Sequence, residues 1–265
     1  MVKYVDRIAK RKANIMEVCL LAGEIMLESG AETYRVEDTM VRIALSYGAE
    51  QAESYVTPTV IIFSLDGDEY NSYPLTTKMK MKRIDYRTTD LNKIAIVNHL
   101  SREISEGNWT LEEAYGKLKE IKKRNDAYPI WLQIFAAGIV SGCFVIMFLG
   151  KWIDVLPGFI AGGIGYFFFL TIQPYVRIRF FSEFIASLII GLVAYSLIYF
   201  GHGVEIDKII IGSVMPLVPG LLITNAIRDL MAGHLVSGLT KGAEALLTAF
   251  AIGSGIAVVF EIIPY

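Results

Sequence analysis

Trp131-Leu-Gln-Ile-Phe-Ala-Ala-Gly-Ile-Val-Ser-Gly-Cys-Phe-Val-Ile-Met-Phe-Leu149 contains no charged residue over 19 positions, close to the roughly 20 apolar residues that carry a helix across a bilayer core. Four further stretches read the same way, at 153–172, 183–200, 209–227 and 243–262. Charge follows the same division. Up to Tyr128 about three residues in ten are charged, and beyond it about one in ten, against about a quarter in ordinary soluble chains. The two parts therefore face different solvents. The sequence predicts an α-helical integral membrane protein: a five-helix transmembrane bundle over residues 129–265, preceded by a small cytoplasmic α+β domain over residues 1–128.

Within the first part, apolar residues recur at helical spacing over 13–29, with Gly30 as a stop. A second helix is predicted over 34–47, with Thr33 as its cap and Gly48 at its end. Residues 54–65 are β-branched and aromatic and read as a strand, with Pro58 at an edge or bulge. Asp66-Gly67 offers a hairpin turn into a second strand, and a third strand is predicted over 80–87. Helices follow over 90–106, closed by Gly107, and over 111–124. The last opens with Thr110-Leu-Glu-Glu113, a capping box in which hydroxyl and carboxylate each bond the other residue's backbone N–H. That reading also accounts for the sequon-like Asn108-Trp-Thr110.

The chain begins with positive charge but no apolar run behind it, so no secretory signal is expected. Lys122 to Arg124 precede the first span, Arg177 and Arg179 follow the second, and Arg228 and Lys241 follow the fourth. This bias predicts a cytoplasmic N-terminus and an external Tyr265. Gly138 with Gly142, and Gly158 with Gly162, would let helix backbones approach closely.

The fourth span breaks its own pattern. Pro216 and Pro219-Gly220 interrupt it, and Thr224, Asn225, Arg228 and Asp229 follow. Each proline removes a backbone donor and disfavours helical geometry in the residue before it, so freed carbonyls could face a solute. At about 100° per residue the four polar residues fit one arc of about 140°. Arg228 and Asp229 adjoin in sequence and do not face each other, so each needs another partner. They either line a solute pathway or mark the end of a span. Glu183, Lys241 and Glu244, at the starts of spans, are either interface anchors or coupling partners. Near the outer end of the second span, Asp154-Val-Leu-Pro157-Gly158 repeats the proline-glycine break.

Several classes fall away. Acids and bases nearly balance, so nucleic-acid binding is not expected. Cys19 and Cys143 lie in different parts and read as packing residues; His99, His202 and His234 have no ligand spacing, so no metal is assigned. His234 reads as a solvated loop residue. No nucleophile with its base and no phosphate loop is visible, so neither an enzyme nor a cofactor is expected. Glu32, Arg35, Glu37 and Asp38 surround a helix start and could bind a small ligand or simply cap and solvate it.

Ser29-Gly-Ala-Glu-Thr-Tyr-Arg-Val-Glu37 and Pro219-Gly-Leu-Leu-Ile-Thr-Asn-Ala-Ile-Arg-Asp229, followed by Gly233 and Gly238, resemble the threonine/serine exporter family over nearly the whole chain. The resemblance implies an inner-membrane exporter of small polar metabolites with a cytoplasmic N-terminal domain. Full-length members have roughly ten spans. This chain resembles the larger subunit of the split form, which implies a short second membrane subunit and an oligomer in the lipid bilayer. Dicarboxylates such as succinate join threonine and serine as implied substrates. Substrate contacts are expected at Pro216, Pro219, Gly220, Thr224, Asn225, Arg228 and Asp229, with proton coupling. The alternative is a membrane-anchored metabolite sensor.

Overall fold

The computed structural model describes residues 2–65, 78–125, 127–175 and 180–262, with side chains from residue 14 onward. The expected turn at Asp66-Gly67, the basic residues Arg177 and Arg179, and Tyr265 lie outside the described residues. The chain divides into two compact units. One joins Met1–Asn125 to Ile223–Gly242; the other joins Asp126–Leu222 to Ala243–Tyr265. Residues 223–242 thus group with the N-terminal part.

In the first unit, α1 (Val2–Glu28) and α2 (Thr33–Ser46) pack on β1 (Ala52–Thr57), β2 (Val60–Leu65) and β3 (Lys78–Arg83), followed by α3 (Leu91–Ser105) and α4 (Leu111–Lys123). α1 begins well before the predicted residue 13. The sheet is antiparallel in the order β1-β2-β3. Ile61, Phe63 and Leu65 point alternately into the core, each at most 1% exposed, as the two-residue period of a half-buried strand requires.

Pro58 lies neither in a strand nor at a bulge. It forms the turn with Thr59, with Thr57 paired to Val60, so residues 54–65 contain two strands instead of one. The fixed φ of proline suits a turn and its missing N–H weakens a ladder, so the chain reverses there. β3 also departs from a simple alternation. Met79 and Met81 face outward, while Lys80 and Lys82 pair with Glu17 and Glu24 of α1 at 3.7 and 2.9 Å. Lysines along an edge strand disfavour pairing with another chain.

The Thr110 capping box forms as expected: the Thr110 hydroxyl accepts from Glu113 N, and Glu113 accepts from Thr110 N. Asp90 caps α3 by accepting from Lys93 N at 3.0 Å. Cys19 is buried, whereas Cys143 is exposed on a membrane helix and does not pack inside the chain.

In the second unit, α5 (Ile130–Met147), α6 (Val155–Ile172) and α7 (Phe181–Tyr199) pack in succession, and α8 (Ile206–Val214) packs against all three. A 3-10 turn, Trp152–Asp154, leads into α6. A second one, Met215–Leu217, leads from α8 toward α9 (Gly220–Met231), and α10 (Leu235–Ile262) closes the chain. Among the described residues four helical segments are long and apolar enough to cross a membrane, and up to five if α8 and α9, bent by 60°, count as one broken span. In those four, only 28 to 33% of the span window is buried, so most of each surface is left for lipid or another protein.

Glycine sets the spacing of α5 and α6. A Cβ on Gly138 would lie 3.0 Å from Phe159 O, and one on Gly142 3.2 Å from Val155 O. Both obstacles are backbone, which cannot yield as a side-chain tip can. Gly138→Leu should cost about 1–3 kcal/mol by overpacking, measured as a lower Tm of the purified protein in detergent.

Candidate functional site

Gly30 ends α1 at φ +88°, a conformation that side chains with a Cβ rarely adopt, and its N–H bonds Leu27 O. Thr88 N donates to Glu28 O and Asp90 N to Ser29 O, which braces the turn from α3's side. α2 then starts with a buried backbone donor at Thr33, one of the N–H groups that no helix can satisfy internally. Thr33 is not the cap. The N-cap position falls on Glu32, whose side chain makes no capping bond.

The cap comes from 196 residues away. Asp229 Oδ1 on α9 accepts from Thr33 N at 3.0 Å. Its Oδ2 meets Lys241 Nζ of α10 at 2.8 Å, and Lys241 also donates to Ala31 O at 3.2 Å. Side-chain exposure is 0% for Asp229 and 4% for Lys241, so both charges are removed from water and each answers the other. The positive end of α2 adds to the field at the carboxylate. Lys241 is thus a buried ion-pair partner of Asp229.

Asn225 and Arg228 meet the same turn. Asn225 Nδ2 donates to Gly30 O at 2.9 Å, and Arg228 Nη1 to Glu32 Oε1 at 2.6 Å. Arg35 Nε lies 3.3 Å from the other oxygen of Glu32. Burial works to raise the Glu32 pKa, but a backbone N–H, Arg228 and Arg35 outweigh it and hold the carboxyl below the usual carboxylate value. Arg228 is 59% exposed, so solvent screens this pair and limits it to about 1 kcal/mol or less. Thr224 lies on the exposed side of α9.

A second group fastens β1. Glu37 Oε1 accepts from Val56 N at 2.8 Å and Ser237 Oγ donates to Val56 O at 3.1 Å, so this edge residue has both backbone groups satisfied. His234 Nδ1 stands 3.6 Å from Glu37 and its side chain is 22% exposed, so it is not a solvated loop residue. Burial raises the Glu37 pKa, opposed by the Val56 N–H and the His234 charge and reinforced by Asp229. α9 and α10 come together through small residues: a Cβ on Gly238 would lie 2.9 Å from Ala226 O.

The remaining sequence candidates fall in the second unit. Val218 is extended at φ −64°, ψ 130°, as a residue before proline tends to be, and the helix breaks there. Met215, before Pro216, keeps helical angles, so Pro216 is absorbed in the 3-10 turn and only Pro219 ends the helical path. Gly220 N donates to Val218 O at 2.8 Å. Glu183 lies in the first turn of α7, and Glu244 O accepts from Thr248. Among the described residues no group of three His, Cys, Asp or Glu could hold a metal.

The partners of Arg228 and Asp229 thus come from this chain, and they lie in the two segments that carry the resemblance. The family model for threonine/serine exporters matches residues 17–263. The chain belongs to the threonine/serine exporter family. A Mycobacterium tuberculosis protein named "Probable threonine/serine exporter" is 25% identical over 258 residues, which cover 95% of this chain and 46% of that one. Escherichia coli and Klebsiella aerogenes proteins named "Probable succinate transporter subunit YjjP" are each 26% identical, covering 94% and 91% of this chain and the same shares of their own. The chain thus spans about half the length of the mycobacterial relative and nearly all of the other two. No solved structure matches. Multi-pass membrane localisation follows from the family and the candidate spans.

The stripe on α9 is legible in the sequence, whereas its partners Gly30, Glu32 and Thr33 are not. The Ser29–Glu37 segment was visible as a motif, and nothing in one sequence pairs it with residues 196 positions away.

Lys241→Met should destabilise the protein by about 3–5 kcal/mol, because Asp229 keeps a buried charge without its partner. Adding Asp229→Asn should recover much of that loss, and chemical denaturation of the three variants measures both. Glu37 behaves oppositely to Glu32 with pH. Its raised folded pKa means the folded state holds a proton longer than the unfolded chain, so Glu37 lowers stability as pH rises through the ordinary carboxylate range. Glu37→Gln removes that dependence. The stability of Glu37→Gln relative to the parent should therefore rise between about pH 4 and about pH 7, read from denaturation midpoints at each pH.

Proposed function

We propose that this chain is one subunit of a secondary-active exporter of small polar metabolites bearing a carboxylate: threonine- or serine-type amino acids, or dicarboxylates such as succinate. The observation that carries the reading is the carboxylate of Glu32 held on Arg228, with Asn225 beside it on α9. A guanidinium that already pairs with a carboxylate, and is more than half exposed, can exchange Glu32 for the carboxylate of a substrate. Glu32 then acts as the resting counter-ion.

The family match favours export over a membrane-anchored sensor. The names of the enterobacterial relatives support a partner subunit. We assign Thr224, Asn225, Arg228 and Asp229 to substrate recognition and its immediate support, and Pro216, Pro219 and Gly220 to a broken fourth span. Lys241, Glu183 and Glu244 are assigned to charge balance and coupling. The grouping of Arg228 and Lys241 with the N-terminal part supports a cytoplasmic placement of that unit, with the C-terminus outside. With no phosphate-binding loop to couple ATP, an ion gradient, in the first instance protons, drives export.

Arg228→Ala should lower export of the substrate from loaded cells co-expressing the partner at least about tenfold, while leaving the amount of protein in the membrane unchanged. Arg228→Lys should recover only part of it, because a point charge lacks the two-pronged fit to carboxylate. Export equal to the parent in Arg228→Ala removes Arg228 from the site.

A further inference from the structure

Asp154 lies in the 3-10 turn before α6 and is fully buried. Its Oδ1 accepts from Val204 N at 2.6 Å and, more weakly, from Glu205 N at 3.4 Å, at the start of α8. Gly203 lies against the same oxygen: a Cβ there would come within 3.3 Å of it. The other oxygen, Oδ2, is buried and has no hydrogen-bond partner among the described residues. Glu205, whose backbone N–H faces Asp154, also has a buried side-chain oxygen, Oε2, without a partner.

Charge is unbalanced at the same place. Glu205 has Lys151 at 3.6 Å and Asp207 has Lys208 at 3.3 Å. Asp154 has no ion pair among the described residues, and neighbouring His202 is exposed. The start of α8 offsets part of the negative charge. It does nothing for Oδ2, since a buried carboxylate oxygen without a donor or cation keeps its full desolvation cost. Each of the two carboxyl groups thus carries a buried oxygen without a donor, and with Lys151 answering only Glu205 the two together lack one positive charge.

We infer that Asp154 and Glu205 bind one monovalent cation, either a proton taken up on Asp154 or a sodium ion held by the two carboxylates. A proton converts the Asp154 carboxylate to a carboxylic acid, whose O–H supplies the missing donor. Sodium supplies the same charge to the same hard oxygens. The site lies wholly within the second unit and is independent of Arg228. Its use as the coupling-ion site rests on the exporter reading above; its existence does not.

The test is binding to the purified full-length protein in detergent, read as Tm, so a failure of transport and a failure of the site remain distinguishable. One arm replaces choline chloride by NaCl at constant ionic strength; the other varies pH from about 5 to about 8 in choline chloride. The parent should gain at least about 2 °C from sodium or from acidification. Asp154→Asn, which brings its own donor, should lose that gain. Glu205→Gln should weaken it and keeps the measurement decisive if Asp154→Asn does not fold. Sodium dependence lost in either variant identifies sodium; acid dependence lost without a sodium effect identifies a proton. A parent indifferent to both, or variants that keep its full response, overturns the proposal.

Discussion

A carboxylate at the start of α2 organises the first unit. Asp229 accepts the Thr33 N–H with one oxygen and faces Lys241 with the other, while Lys241 reaches Ala31 O. Three segments far apart in sequence are thus tied by groups that are all removed from water. Such an ion pair gives little net stability compared with well-packed apolar side chains, but breaking it by losing one partner is costly. What it specifies is register. The carboxylate fits only where a helix offers an unsatisfied N–H, and the ammonium only where a carbonyl stands free. Asn225 on Gly30 O and Arg228 on Glu32 extend the same alignment by one helical turn.

Local signals were legible in the sequence where both members of an interaction lie within a few residues. Thr110 and Glu113 are three apart, and their capping box was readable directly. Gly30, Gly48 and Gly107 end helices at positive φ as their positions suggested. Pro58 misled because its neighbours on both sides favour strand, and only the Thr57–Val60 pairing shows that it turns the chain. Thr33 misled for the opposite reason: it has the chemistry of a cap, but its helix is capped from α9. The apolar spans were readable from composition, while their number was not, because the 60° bend between α8 and α9 leaves four helices or five.

The candidate site was half legible. Helical periodicity put Asn225, Arg228 and Asp229 on one side of α9 and showed that each charge needs a partner from elsewhere. It could not say that these partners are Glu32, Thr33 and Lys241. Buried Asp154 was visible only as part of a proline-glycine break, because its environment is made by the backbone of residues 204 and 205. In both places the informative quantity is a hydrogen-bonding capacity left over or filled at long range, which depends on three-dimensional closure.

The dependence of α2 on α9 and α10 bears on where this chain can be cut. A fragment ending after Asn125 would keep β1 to β3 and α1 to α4, yet would carry an uncapped Thr33 N–H and unanswered carbonyls at Ala31 and Val56. Its solution behaviour would report that damage as well as any ligand. Chimeras between relatives face the same constraint. Exchanging the N-terminal part alone pairs one protein's turn with another's carboxylate and lysine, so the exchangeable module is discontinuous and includes Ile223–Gly242.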